Sequence, residues 1–117
     1  MNPKEAYLSK PWLKYYAEGV PAKIDIPDLS VPDLFDRTAD QYGDKPALIF
    51  YGRKINYREL KELVDRMATA LADLGVGKGD TVALYLLNSP QYVIAYFAVL
   101  RLGAKVTPIS PVYTSIE

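Results

Sequence analysis

The sequence predicts an α/β domain, and three observations carry that reading. "DTVALYLL" (80–87) and "AKVTPIS" (104–110) are strand-length runs with a helical stretch between them. This β-α-β order implies parallel strands joined by a right-handed crossover. "PALIFYGRKINY" (46–57) reads as a β-hairpin folded about Gly52. "NYRELKELVDRMATALADLG" (56–75) has the i, i+3, i+4, i+7 apolar spacing of an amphipathic helix.

In chain order, residues 1–30 form an N-terminal arm with four prolines (Pro3, Pro11, Pro21, Pro27) and little sustained periodicity. A helical turn is expected at Trp12–Glu18, ended by Gly19, with "IDIPDL" extended. Residues 31–117 make a partial α/β domain. Its first helix is announced by Ser30 and Asp33, a capping-box pair, with Pro32 in the first turn, where proline is tolerated. Leu34, Phe35, Thr38, Ala39 and Tyr42 fall on one face, and Gly43 is the stop.

In the hairpin, Ala47–Tyr51 and Lys54–Tyr57 are the expected strands, with Gly52-Arg53 as a two-residue type II′ turn. Asn56 and Glu59 then form another capping box. The following helix directs Leu60, Leu63, Val64, Met67, Ala68, Leu71 and Leu74 to one side, and Glu62 can pair with Arg66 for about 0.3 kcal/mol. The run Thr81–Leu87 is expected to be buried on both faces, as strands of parallel sheets are. Ser89 or Asn88 caps the next helix, Pro90 opens it and Gly103 follows its end. Tyr92–Leu100 is apolar on every side but far too short to span a bilayer, so it is expected inside a core. The second parallel strand is expected near Lys105–Ile109.

Composition narrows the function. Lys+Arg and Asp+Glu are equal at 14 each, so no global field favours nucleic acid or an anionic membrane. The chain has no cysteine and no histidine, which removes disulfides, thiolate chemistry, imidazole bases and conventional zinc sites. The N-terminus lacks the apolar core of a signal peptide, and a cytoplasmic protein is expected. "KPWLKYY" could touch a membrane surface, at most peripherally, because it is too short and weakly charged to anchor alone. Packing of the arm is the favoured account.

Two stretches invite a phosphate-site reading. "GVGKGD" (75–80) has glycines and a lysine, but phosphate loops run strand, glycines, helix, and here the order is helix, glycines, strand. A C-cap at Gly75 and a tight turn explain it. "NSPQ" (88–91) lies at the carboxyl end of a parallel strand, where open α/β sheets bind ligands, yet it has no glycine to admit a phosphate. Helix capping is the simpler account.

"INYREL" (55–60), "GVGKGDTVALYLLNSPQYVIAYFAVLRLGAKVTPISP" (75–111) and "VYTSIE" (112–117) together resemble the start of an adenylate-forming enzyme. That superfamily includes acyl-CoA synthetases, nonribosomal peptide adenylation domains and luciferases. The first stretch is similar to the family's opening Thr/Ser-Tyr-x-Glu-Leu motif, with Asn56 in place of the hydroxyl residue. The second resembles its helix–Ala/Gly–strand motif, filled here by Leu102-Gly103-Ala104, with Lys105 an unusual start to the strand. "KPWLKYYAEGVP" and "SVPDLFDRTADQYGDKPALIF" look most like the fatty acyl-CoA ligase branch.

The resemblance implies the N-terminal part of the large domain of an acyl-CoA synthetase-like fold. The parent would use ATP and Mg2+ to convert a fatty acid to acyl-AMP, and CoA would then displace AMP. That chemistry needs a Ser/Thr/Gly-rich loop with a lysine, an acidic group for the ribose and a mobile C-terminal domain. None has a counterpart here. No catalytic, cofactor-binding or metal residue is therefore assigned, and the segment alone is expected to be inactive and to bind none of these cofactors.

Two alternatives stay open: a free-standing α/β interaction module, and an adenylating enzyme for another carboxylic acid. Thr114 and Glu117 also have capping-box spacing, so a further helix is expected to follow. A chain cut there should self-associate or dimerise, through the 92–100 helix or the 105–109 strand.

Overall fold

A computed structural model describes residues 2–113. The capping pair Thr114 and Glu117 lies outside them. The arm begins with a helix absent from the sequence reading, α1 (Pro3–Leu8), capped reciprocally by Asn2 and Glu5 with Pro3 in its first turn. A 3-10 turn at Pro11–Tyr15 replaces the expected Trp12–Glu18 helix. Gly19, at φ +84°, instead serves a separate turn closed by the Val20 N–H donating to the Ala17 carbonyl. Trp12 packs on the Tyr7 ring at 5.1 Å, and among the described residues none in the arm is buried. The arm therefore packs on itself. The Cα radius of gyration is 19.2 Å, where a compact domain of this length would have about 13 Å.

The domain proper is α2 (Val31–Tyr42), β1 (Pro46–Phe50), β2 (Arg53–Asn56), α3 (Tyr57–Asp73), β3 (Thr81–Tyr85), α4 (Pro90–Arg101) and β4 (Lys105–Ile109). β1 and β2 are antiparallel, and β3 and β4 are parallel with Thr81 opposite Lys105. The hairpin turn falls one residue earlier than expected. Tyr51 and Gly52 are its central residues, at φ +46° and +81°, and positive φ at both is the type I′ pattern that matches strand twist. Tyr51 is 95% exposed.

Each main helix is capped as its sequence requires. Ser30 accepts from the Asp33 N–H, Asn56 from the Glu59 N–H and Ser89 from the Tyr92 N–H. The Asn56 box is only half made, because the Glu59 carboxylate turns to Arg53 at 3.4 Å. Glu62 and Arg66 are not among the ion pairs of the described residues. Gly43 ends α2 without a left-handed turn. A Cβ there would lie 3.1 Å from both the Ala39 carbonyl and Arg58 Nη2, so the requirement is space.

α4 occupies the centre. Val64 of α3 and Ala98 and Val99 of α4 are 0% exposed. Phe35 of α2 stacks on Phe97 of α4 at 4.6 Å, and Ile55, Leu60 and Ala68 complete the cluster. From Tyr92 to Arg101 every α4 residue is buried or partly covered, which is what a helix apolar on all sides demands. Its faces are thus not the unsatisfied surface. Leu34 and Tyr42 of α2 remain exposed, and Leu74, 82% exposed, lies past the end of α3.

The strands depart most from expectation. β3 stops at Tyr85, and only Leu84 of it is buried. Val82, Leu84 and Val106 are the least exposed positions of the pair, while Ala83, Tyr85, Thr107 and Ile109 are open. Among the described residues α4 covers one face of the pair and nothing pairs with its edges. No described helix is long and apolar enough to cross a membrane.

An ion-pair cluster joins the three helices. Arg101 donates to both Asp36 oxygens at 2.7 and 3.0 Å, and its Nε lies 3.1 Å from Asp65. Lys61 bridges Asp40 at 2.9 Å and Asp36 at 3.6 Å. The Arg101 hydrogen bonds hold the Asp36 carboxyl below its ordinary value of 3.8, against partial desolvation, which raises it. A depressed carboxyl stabilises the fold above its unfolded pKa and loses that contribution as pH falls through the folded value.

Asp36→Asn should therefore cost about 1–2 kcal/mol at pH 7, since it replaces charge-assisted hydrogen bonds at a half-buried site. Urea unfolding followed by circular dichroism measures the difference. The gap between wild type and variant should be constant from pH 7 to about 5 and shrink below about pH 4.

Candidate functional site

The two ends of the β3–β4 pair differ in kind. At the amino ends, "GVGKGD" is closed on itself. The Gly75 N–H donates to Ala72, and the Val76 N–H to Leu71 at 3.0 Å. This is the Schellman pattern, with Gly75 at φ +92°. α4 ends identically, the Gly103 N–H donating to Leu100 and the Ala104 N–H to Val99, with Gly103 at φ +70°.

Three of the four remaining amides are engaged as well. The Gly77 N–H donates to the Asp80 carboxylate at 2.8 Å, the Asp80 N–H to Gly77 and the Gly79 N–H to Gly103. A carboxylate thus already occupies the place where an anion would need a donor. Lys105 ties the two turns together, its N–H donating to Asp80 and its Nζ to the Gly79 carbonyl.

At the carboxyl ends a cleft of about 300 Å3 opens between the segment after β3 and the one after β4. Leu86, Leu87 and Asn88 form one side, and Ile109, Pro111 and Tyr113 the other. Tyr92, in the first turn of α4, closes the base, and the Tyr85 hydroxyl donates to the Pro111 carbonyl at 3.2 Å. Among the described residues the wall contains no carboxylate, lysine or arginine. It offers apolar surface, the Asn88 amide and the hydroxyls of Ser110, Tyr92 and Tyr113. Such a cleft can hold an apolar or aromatic group.

"NSPQ" thus divides its work: Ser89 caps α4, and Asn88 lines the cleft. The sequence pointed to this end through the strand-end rule for α/β sheets. It gave no sign of the Tyr85–Pro111 hydrogen bond, which spans 26 positions. Among the described residues no three acidic side chains gather as a metal site would require.

A parallel pair crossed by a buried helix, with its amino ends locked and a cleft at its carboxyl ends, is an α/β unit of the open-sheet kind. The chain belongs to the AMP-binding enzyme family, whose model matches residues 35–117. It is 43% identical over 113 residues to a long-chain-fatty-acid–CoA ligase of Yersinia pestis, covering 94% of this chain and 20% of that protein. To the Bacillus subtilis (strain 168) ligase of the same name it is 35% identical over 92% of its length. The chain therefore spans about one fifth of the curated relatives it matches.

Among solved structures it resembles the N-terminal subdomain of Klebsiella oxytoca NpsA, with TM-score 0.72, 37% identity, and coverage of 74% of this chain and 23% of that one. It also resembles the anthranilate CoA ligase AuaEII in complex with anthranoyl-AMP, with TM-score 0.71, 27% identity, and coverage of 77% and 18%.

The closed loop makes two expectations. Gly103→Ala should cost about 1–2 kcal/mol, because it forces an L-residue into a left-handed position. Millimolar Mg-ATP should leave the thermal midpoint of the 117-residue chain unchanged, where a ligand at 100 times its Kd would add about 2.7 kcal/mol. A clear upward shift would place a nucleotide site in this segment.

Proposed function

We propose that this segment is the N-terminal scaffold of a cytoplasmic, AMP-forming long-chain fatty acid–CoA ligase. The parent protein joins a fatty acid to ATP as acyl-AMP, releasing pyrophosphate, and CoA thiol then displaces AMP. Mg2+ would screen the triphosphate during the first step. The segment's own part is structural: it supplies the buried α4 and the β3–β4 pair on which the rest of the large domain is built.

One observation carries the choice of fatty acid. The alignment with the long-chain ligases covers 94% of the chain, so it must include most of the arm before residue 31. Alignment with a crotonobetaine/carnitine–CoA ligase of Salmonella paratyphi A covers only 66%. A second reading, an aromatic acid, is favoured by the structural likeness to AuaEII, whose bound ligand is anthranoyl-AMP.

ATP–pyrophosphate exchange by the full-length parent separates the two. Exchange should depend on palmitate or oleate and exceed that with anthranilate by at least about a hundredfold, or roughly 2.7 kcal/mol of transition-state discrimination. Preference for the aromatic acid would reverse the assignment, and no exchange with any acid would favour a binding module. The 117-residue chain alone should show none.

A further inference from the structure

The turn between β1 and β2 carries a side chain that the fold does not explain. Tyr51 takes its first central position, at φ +46°. Type I′ turns favour Asn, Asp or Gly there, because a larger L-residue crowds its own backbone in the left-handed region. A bulky residue held in that conformation is normally fixed by its surroundings. Tyr51 is instead 95% exposed, and its aromatic neighbour is Phe50, edge-on at 4.6 Å and itself exposed. Burial therefore does not account for the strain.

The register sorts the two faces of the hairpin. Leu48 lies opposite Ile55, and both meet the helical core. Strand alternation sends the next pair, Ile49 and Lys54, to the other face. Ile49 is 66% exposed, and Lys54 is exposed beside it. Within residues 46–57 the only charges are Arg53 and Lys54, both cationic. Arg53 makes one long contact, 3.4 Å to Glu59, and stays largely exposed. Three apolar side chains and two cations thus share one projecting turn.

We infer that this tip is a contact for an anionic lipid surface. Tyrosine concentrates at the boundary between water and headgroups, where its ring leaves water and its hydroxyl stays wet. Neighbouring Lys and Arg side chains are drawn to anionic headgroups. Three apolar side chains fall far below the area of a stable protein interface, whereas a reversible lipid contact can be that small when aromatic and basic groups act together. The contact does not depend on which acid the parent activates.

The test uses Tyr51→Asn, Tyr51→Trp and Lys54→Glu, in the 117-residue chain and in the full-length parent. Binding is read by sedimentation with vesicles of phosphatidylcholine, with and without phosphatidylglycerol. Asparagine suits the left-handed position, so Tyr51→Asn should raise the thermal midpoint of the chain by about 2–5 °C. The same change should lower partitioning onto the mixed vesicles by at least about tenfold, a loss that unfolding cannot produce in a more stable variant. Tyr51→Trp should partition within about twofold of wild type. Lys54→Glu should weaken binding to the mixed vesicles and leave binding to pure phosphatidylcholine unchanged. The full-length parent should show the same order.

A midpoint that does not rise with Tyr51→Asn would show that the fold itself keeps the tyrosine, and would overturn the inference. Wild-type protein that does not partition would do the same. So would partitioning that ignores residue 51 but disappears with Trp12→Ala, since the contact would then belong to the arm. Partitioning of the full-length parent that none of the Tyr51 and Lys54 variants alters would mean that the rest of the protein covers the tip, and the lipid contact would fall with it.

Discussion

The enclosure of α4 is the constraint on which the rest of the molecule depends. A helix apolar on every side has no face to give to water, so it needs neighbours all round. α2 and α3 supply two of them and the strand pair a third. Alanine at 95 and 98, both almost fully buried, lets these neighbours approach closely. The single charge on the helix, Arg101, sits in its last turn, where a cation suits the helix dipole. There it becomes the hub of the Asp36, Asp65 and Lys61 cluster, so the one polar residue that α4 carries inward is also the one that fixes α2 and α3 around it.

Local signals were legible and non-local ones were not. Ser30, Asn56 and Ser89 cap the helices they announce, because a cap is decided within four residues. The parallel β-α-β unit follows from element order alone. The reading failed where the outcome depends on distant surroundings. β3 has the composition of a strand buried twice over, yet only one face is covered in this chain. The Asp36–Arg101 contact joins residues 65 positions apart, and no periodicity encodes it. The hairpin turn was misplaced by one residue because Tyr51 takes a left-handed conformation that its side chain does not advertise. The capping pair Asn2–Glu5 is just as local a signal, with Pro3 inside the first turn of the helix it opens.

The candidate site shows the same division. The strand-end rule points to the end of the pair where the cleft lies, although helix capping is the simpler account of "NSPQ" and Ser89 does cap α4. Its apolar lining comes from two segments that meet only in three dimensions, Leu86–Asn88 and Ile109–Tyr113. The glycine-rich stretch that looked most like a ligand loop is instead the mechanical joint between α3 and β3. Its hydrogen bonds to the Gly103 turn brace the amino ends of the pair.

The contact between Trp12 and Tyr7 has a practical consequence for spectroscopy. Trp12 is the only tryptophan in the chain, and it lies in an arm with no buried residue, apart from the helical core. Intrinsic tryptophan emission will therefore report the arm, whose Tyr7 ring lies within energy-transfer range, and will be nearly silent about the collapse of α2, α3 and α4. An early, shallow fluorescence transition beside a later, steeper far-ultraviolet one would be the optical signature of two structural regions with separate stabilities, not of a folding intermediate in the domain.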